Sequence, residues 1–594
     1  MTQPVFSQPQ VQVQPRASGG WLVTSSATLP PHPARVTDHL FTWAARQPNQ
    51  PFLQQRSADG ATWRGVTWGQ AATQVRALAA GLLAQGLRPN STSAGGIAIL
   101  SGNSIEHALL ALAAMSIGIP VTPVSVPYSL ASTDLLKLRH VLAQARPGLI
   151  FVDAEAPFAR ALAVPEAAAV PVFATMPSQR AKPFTALASA AADPSAAMAA
   201  VAPDAPVKLL FTSGSTGLPK GVINTHRMMA LNQEQIAAAW PFLYNQPPVL
   251  LDWLPWSHTF GGSHNFNMVL RHGGTLWIDD GRPLPGEFHR TLRNLRDVSP
   301  TISFNVPKGY ELLLPALEDD ATLRHAFLAR LRIVFYAAAT LAPPLWRRLE
   351  AIIAQAPAPV HMAASWGLTE TAPAVVLTHV PNVAAGCIGT PLPGAELLLL
   401  PDGDKLEVRV RGPQVTPGYL ANPEANAAAF DAEGFFRTGD AMRWQDPADP
   451  NQGLCFDGRL GEDFKLATGT KVNAGALKPR AMAALTELAR DLVLCGHDRD
   501  DIGLLLIPQP HRIAELDSPA LRAEVQTALQ ALNAASGGAS SLSIGRALFL
   551  RAPLSLDAGE MTDKGSLNTR AILARRAADV TRLYNNEDPE VILP

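Results

Sequence analysis

Apolar positions along this chain recur with two alternating periods. Val75, Leu78, Ala79 and Leu82 fall at i, i+3, i+4 and i+7, which predicts an amphipathic helix. Thr67 and Gln70 are spaced as a capping box at its start, and Gly86 suits its C-terminal stop. Residues 96–100 are a short continuous apolar run and predict a buried strand. Ser104 opens a second helix reaching about residue 118, and residues 121–124 predict the next strand. Further strand-type runs lie at 149–152, 207–211 and 331–336. Strands alternating with helices predict an α/β fold. Its parallel sheets are covered by helices and hold ligands at the carboxyl ends of strands. Residues 155–206 are rich in Ala and Pro and predict surface helices and connections.

At 594 residues the chain is too long for one core, so more than one domain is expected. A net charge of -1 and the lack of a Lys/Arg cluster give no footprint for nucleic acid. Residues 1–29 are rich in Gln, Pro and Ser and lack the charged start and apolar stretch of a secretory signal, so a flexible leader is expected. The longest apolar run, 108–121, is too short to span a bilayer. Cys387, Cys455 and Cys495 lie far apart in sequence and match no zinc spacing. They read as reduced thiols of a cytoplasmic protein. His258, His264 and His272 likewise fit no metal-site pattern. The Pro/Asp/Gly-rich piece 446–453 and the composition shift after Arg459 divide the chain into a large domain, 30–459, and a small one, 460–594.

One loop carries the clearest chemistry. Thr212, Ser213, Gly214, Ser215, Thr216 and Gly217 are followed by Lys220, directly after the apolar run 207–211. Glycines let successive N–H groups turn inward as an anion nest. Hydroxyls add donors and the lysine adds a point charge, so the loop suits phosphate. Pro219 precedes the lysine, and Gly221 stands where a Walker loop has its magnesium-binding hydroxyl. It is a phosphate loop of another kind.

Downstream come 365–370 (Ser, Trp, Gly, Leu, Thr, Glu), 436–440 (Phe, Arg, Thr, Gly, Asp) and 457–459 (Asp, Gly, Arg), in that order. With these the chain resembles the acyl-adenylate-forming superfamily of acyl-CoA synthetases, luciferases and peptide-synthetase adenylation domains. The resemblance covers nearly everything beyond the leader. It implies a large N-terminal domain of parallel and mixed sheets layered with helices, and a small mobile α+β lid. It also implies ATP, Mg2+ and coenzyme A. A carboxylate attacks the α-phosphate of ATP to give acyl-AMP and pyrophosphate, and the CoA thiol then displaces AMP.

By the same resemblance the 212–220 loop holds the β- and γ-phosphates, Thr369 donates to the α-phosphate and Glu370 holds Mg2+. Trp366 stands where a tyrosine is usual, against adenine. Ala338 lies in the small-residue segment beside it. Asp440 accepts from the ribose hydroxyls, and Arg459 touches the ribose near the hinge. A C-terminal lysine should bridge acyl carboxylate and α-phosphate. Here the order of lysine and glycine is inverted: Lys564 precedes Gly565, and strict alignment on the glycine puts Ser566 at the lysine position. Lys564 is the candidate, because the chemistry demands a cation and the next one is Arg570.

His258 aligns with the residue that lines the acyl tunnel. Its segment, 254–267, with 274–282, 302–309 and 562–566, looks most like the branch of acid:CoA ligases that takes hydroxycinnamates such as ferulate. His258, Phe260, Asn305, Val306, Tyr336 and Ala337 are the expected pocket, with Trp256 as a further wall. Asn305, His264 or Ser263 would meet the phenol. Another aromatic or medium-chain acid, or adenylate binding without catalysis, stays open. The expected partners are a small aromatic acid, ATP and CoA, with no nucleic acid and no membrane span. A homodimer is left open.

Overall fold

The computed structural model describes residues 4–594 except 18, 89–94, 190–191, 214–216, 285, 382 and 404, and describes the backbone but not the side chain of Ser213. Helix Trp68–Ala84 begins where the capping box predicts. The Gln70 N–H donates to Thr67 Oγ1 at 3.3 Å, and Thr67 N–H returns a bond to Gln70 Oε1 at 2.9 Å. Gly86 takes φ +82° just past its end. Ser104 caps helix Ile105–Ser116 through the His107 N–H at 3.0 Å.

Two helix-covered sheets dominate the large domain. In the first, strands Gly96–Ile99, Val121–Pro123, Pro147–Ala154 and Pro206–Ser213 run parallel. The last of these leads into the phosphate loop. In the second, Ile302–Asn305, Ile333–Tyr336 and His361–Gly367 are parallel neighbours and end together. Their carboxyl ends point three connections toward one place. A smaller sheet joins Val249–Asp252 to Thr275–Ile278 and Pro51–Arg56. Strand Leu454–Arg459 is the last of the large sheet in sequence, and the turn Leu460–Glu462 leads away from it.

The small domain packs helices Ala474–Leu485 and Pro519–Ala534 on strands Ala489–Cys495, Ile502–Pro508 and Ile544–Phe549. Leu477, Leu485, Val525 and Leu529 meet Leu492 and Leu504 in its core. Among the described residues no helix is long and apolar enough to cross a membrane.

Two expectations are corrected. The leader is not flexible throughout: Val11–Pro15 and Trp21–Ser25 form a hairpin whose second strand pairs with Glu396–Asp402. Val23 is fully buried there against Leu397 and Val408, so alternation of apolar residues outweighs the Gln- and Pro-rich composition. Residues 155–206 are not only surface connections. Val172–Met176 adds a strand with Val172, Phe173 and Ala174 buried. Cys387 and Cys455, although distant in sequence, face each other in adjoining antiparallel strands, and all three cysteines are free.

Candidate active site

The phosphate loop is the connection of a hairpin. Pro206–Ser213 returns antiparallel as Pro219–Thr225, which sets Thr212 opposite Lys220. Gly214, Ser215, Thr216 and the Ser213 side chain lie outside the described residues. Gly217 takes φ +101°, a conformation that strains any residue with a Cβ. The Lys220 ammonium stands 5.2 Å from the centre of the Tyr419 ring. The Tyr419 hydroxyl in turn donates to Glu370 Oε1 at 2.9 Å.

Thr369 and Glu370 occupy one 3-10 turn, Thr369–Thr371, at the carboxyl end of strand His361–Gly367. Leu368 N–H donates to Thr371 Oγ1 at 2.8 Å, and Thr416 N–H donates to Glu370 O at 2.7 Å, so the turn is held from both sides. Both side chains are buried. Burial raises the Glu370 pKa from the ordinary glutamate value, while the Tyr419 hydrogen bond and the charges of Lys564 and Lys220 pull it back. Glu370, Lys220 and Lys564 are thus brought together across 344 residues of chain, from 220 to 564.

Trp366 Nε1 donates to Asp440 Oδ2 at 2.9 Å. The other oxygen, Oδ1, lies 3.5 Å from Arg459 Nε but has no hydrogen-bond partner, although it is buried. An unmet carboxylate oxygen beside a fixed aromatic edge is a ready acceptor for hydroxyl donors. Burial raises the Asp440 pKa against the pull of Arg459 and Trp366. Ala338 is exposed at the carboxyl end of strand Ile333–Tyr336, with φ +72°, a strained conformation for a residue with a Cβ.

Lys564 arrives from the small domain at the tip of a tight turn. Gly565 N–H donates to Thr562 O at 3.0 Å and Thr562 N–H to Ser566 O at 2.8 Å. Water reaches the lysine, but protein crowds its ammonium, and this crowding lowers its pKa from the ordinary lysine value. Arg459 adds to that shift, while Asp563 and Glu370 oppose it. Open water in the crevice screens part of the effect. The charge from this turn that acts on Glu370 is that of Lys564, and Ser566 carries none. His258 has a partner that sequence reasoning missed: its Nε2 lies 3.1 Å from Asp563 Oδ2.

The acyl side is built on one turn of π-helix, Phe260–Asn265. Gly261 and Gly262 are needed there, because a Cβ on either would lie 2.3 Å from a backbone oxygen of Leu254 or Trp256. Lys208 Nζ, fully buried in strand Pro206–Ser213, donates to Gly262 O at 2.5 Å, and burial lowers its pKa to about 7. Asp252 accepts from Leu254 N–H at 3.0 Å and from Asn265 Nδ2 at 2.9 Å. Burial raises its pKa to about 7. Phe260, Val306 and Ala337 are half-buried, packed like Trp253 against the main core of the large domain.

Phe260, Phe304 and Phe335 form an aromatic box, with centroids 5.0–6.1 Å apart. His264 stacks on Phe335 at 5.4 Å. Its Nδ1 pairs with Asn265 Oδ1 at 2.9 Å, and its Nε2 is buried without a partner. Burial lowers its pKa to about 4, so the ring is neutral.

Two expected walls are elsewhere. Strand side chains alternate, so Phe335 faces this box and Tyr336 faces the opposite side, where it packs edge-on against Trp346 at 6.0 Å. Trp256 is buried between His107 and Phe266, in the core. Asn305 Oδ1 is already taken by Trp253 Nε1 at 3.2 Å and Val306 N–H at 3.0 Å. Ser263 is fully buried with its hydroxyl unpartnered. Among the described residues no cluster of three or more His, Cys, Asp or Glu could hold a metal by itself.

Comparison with known proteins agrees with this geometry. The family described as AMP-binding enzyme matches residues 40–420, and the AMP-binding enzyme C-terminal domain matches 463–588. A long-chain-fatty-acid–CoA ligase, FadD15 of Mycobacterium bovis, is 26% identical over 601 aligned positions, covering 90% of this chain and 94% of the relative. A 4-coumarate–CoA ligase of Oryza sativa subsp. japonica is 33% identical over 276 positions, covering 43% of this chain and 46% of the relative. The solved anthranilate CoA ligase AuaEII, in complex with anthranoyl-AMP, superposes with TM-score 0.72 at 18% identity, covering 93% and 98% of the two chains. That likeness shows the same fold.

Proposed function

The chain belongs to the AMP-binding enzyme family, and from that premise we propose that it joins a hydroxycinnamic acid such as ferulate to coenzyme A. It acts as an AMP-forming acid:CoA ligase. A carboxylate oxygen of the acid forms a bond to the α-phosphorus of ATP as the bond to the β-phosphate oxygen breaks and pyrophosphate leaves. The CoA sulfur, as thiolate, then bonds to the acyl carbon and AMP departs with the electron pair. Both steps move dense negative charge, so positioning and electrostatics carry them.

In this reading the Thr212–Lys220 hairpin cradles the pyrophosphate end, and Lys220 is its cation. Asp440 takes the ribose hydroxyls on its unmet Oδ1, with Arg459 beside it and Trp366 at the base. Ala338 and its small neighbours leave room for adenine. Thr369 donates to the α-phosphate, and Lys564 bridges that phosphate and the acid's carboxylate. Glu370 offers one buried carboxylate, a donor set that suits Mg2+, which prefers one or two carboxylates plus phosphate oxygens. When bound there, the ion neutralises charge on the phosphates. Closure of the small domain, residues 460–594, keeps water from the acyl-AMP.

The observation that carries the acid assignment is the half-buried Phe260 backed by Phe304 and Phe335, packed against His264 with its unpartnered Nε2. A flat ring can lie against the half-buried Phe260, and a phenol or methoxy group would meet a polar atom left without a partner, His264 Nε2 or Ser263 Oγ. Thioester formation across ferulate, coumarate, caffeate, benzoate and octanoate tests this. The three hydroxycinnamates should give the highest kcat/KM. Octanoate or benzoate in first place would overturn the acid assignment. Absence of acid-dependent ATP–pyrophosphate exchange with all five would favour adenylate binding without catalysis.

A further inference from the structure

Asp563 stands next to the lysine that the proposed chemistry needs, yet no step of that chemistry uses it. Its side chain is only 4% exposed and lies against the large domain. His258 Nε2 is 3.1 Å from its Oδ2, and Ser125 and Tyr128 turn their hydroxyls toward it. Burial opposes its ionisation, but His258, Ser125 and Lys564 outweigh burial and hold its pKa below the carboxylate range. Burial and Lys564 lower the His258 pKa against the pull of Asp563. The geometry is that of an imidazole N–H donating to a carboxylate.

A second contact lies six residues earlier. Asp557 accepts from Ser132 Oγ at 2.6 Å, Thr133 N–H at 2.8 Å and Thr133 Oγ1 at 2.6 Å. Lys137 Nζ donates to Leu556 O at 2.5 Å. Between the two contacts the chain is stiffened from its own side, where Arg576 clasps Glu560 at 2.6 and 2.9 Å. Thr562 Oγ1 accepts the N–H groups of Lys564 at 3.3 Å and Ser566 at 3.1 Å. The turn is thus a rigid finger pinned at its base by Asp557 and near its tip by Asp563.

We propose that Asp563 is the positioning residue for Lys564: docked on His258, it fixes the tip of the 562–565 turn so that the lysine reaches the α-phosphate and acyl carboxylate beside Glu370. A lysine has four rotors and loses much freedom when ordered. Anchoring the adjacent residue removes the backbone share of that loss before substrate binds. The role rests on the ligase reading, with Lys564 as its cation. It concerns acyl-AMP formation and not attack by CoA.

The test is Asp563→Ala, Asp563→Asn, His258→Ala and the double variant Asp563→Ala with His258→Ala, in the full chain. Acid-dependent ATP–pyrophosphate exchange reads adenylation, and conversion of supplied acyl-AMP with CoA reads the second step. Asp563→Ala should lower the exchange kcat roughly tenfold or more, the loss of one charge-assisted hydrogen bond, and leave the second step within about twofold. Asp563→Asn keeps an acceptor for the His258 N–H and should recover part of the loss. The double variant should fall no more than about twofold below the weaker single variant, because both remove one contact. Hydrogen exchange of the 556–566 segment should quicken roughly tenfold in Asp563→Ala, with strand Ile502–Pro508 unchanged.

Equal losses in both steps, multiplying losses in the double variant, or unchanged protection of 556–566 would each overturn the role. A wild-type chain that exchanges no pyrophosphate with any acid overturns the ligase reading itself. Normal wild-type exchange with an unaffected Asp563→Ala overturns only this inference.

Discussion

Replacing Lys405 with methionine should loosen the junction between the two domains by about 3–5 kcal/mol, the range for breaking a buried ion pair from one side. Lys405 stands at the start of strand Lys405–Arg411 in the large sheet, with its side chain 1% exposed. Its ammonium lies 2.7 Å from Asp463 Oδ2 and donates to Asp457 O at 2.8 Å. Asp463 follows directly on the turn that leaves the large domain, and its Oδ1 accepts from Ala474 N–H at 3.0 Å, at the start of the first helix of the small one. Methionine matches the length of the lysine stem, so little cavity forms and the loss is electrostatic. Asp463 keeps one of its bonds, which places the cost toward about 3 kcal/mol. Adding Asp463→Asn removes the stranded charge and should return roughly 1–2 kcal/mol.

The two domains can be followed separately, because all 11 tryptophans precede residue 445. Urea unfolding by tryptophan fluorescence reports the large domain, and far-UV circular dichroism reports both. Lys405→Met should separate the two curves, the small domain melting first. A change under about 1 kcal/mol, or no recovery in the double variant, would refute the view that this pair is the electrostatic joint.

Tyr419→Phe removes the hydroxyl that donates to Glu370 and, as a hydrogen bond to a charged group, should cost about 1.5–3 kcal/mol of ordering there. The apparent Mg2+ requirement of pyrophosphate exchange should rise about tenfold or more, and an unchanged requirement would remove Tyr419 from the site. Asp440→Ala should raise the KM for ATP roughly tenfold or more while leaving the fold intact, read by exchange kinetics and circular dichroism. Asp252 has a folded pKa raised to about 7, so the native state holds a proton that the unfolded chain releases. The sign follows: its contribution to stability is fully present near pH 4 and is lost as pH rises to about 7. Asp252→Asn should flatten that decline by as much as about 4 kcal/mol, and an unchanged pH slope of the unfolding free energy would refute it.

Much of the fold was legible because its signals are local. The Thr67 capping box, the Ser104 cap and the apolar runs at 96–100 and 331–336 each state their own structure. The groups proposed for the nucleotide side could be singled out because they sit in short contiguous motifs. What sequence could not give was direction and distance. Tyr336 and Phe335 are equally apolar neighbours, and only the strand's orientation decides which faces the box. Tyr419 meets Glu370 across 49 residues, and Asp563 meets His258 across 305, with no spacing rule to announce either. The N-terminal strands were hidden by composition, since five-residue strands of alternating pattern are easily lost among Gln and Pro.

Those first strands have a consequence for handling the protein. Glu396–Asp402 is hydrogen-bonded on one side by Lys405–Arg411 and on the other by Trp21–Ser25. A chain trimmed of its first 27 residues, a natural economy for anyone who takes them for a dispensable tail, would open the backbone edge of Glu396, Leu397, Leu398 and Leu399, the residues that Trp21–Ser25 covers. The run Leu397, Leu398, Leu399, Leu400 on that strand has strong β character and no charge. Such a border recruits a strand from the next molecule. The hairpin is therefore a built-in guard against self-association, and a shortened enzyme would betray its loss as concentration-dependent clouding before any loss of catalysis per folded molecule.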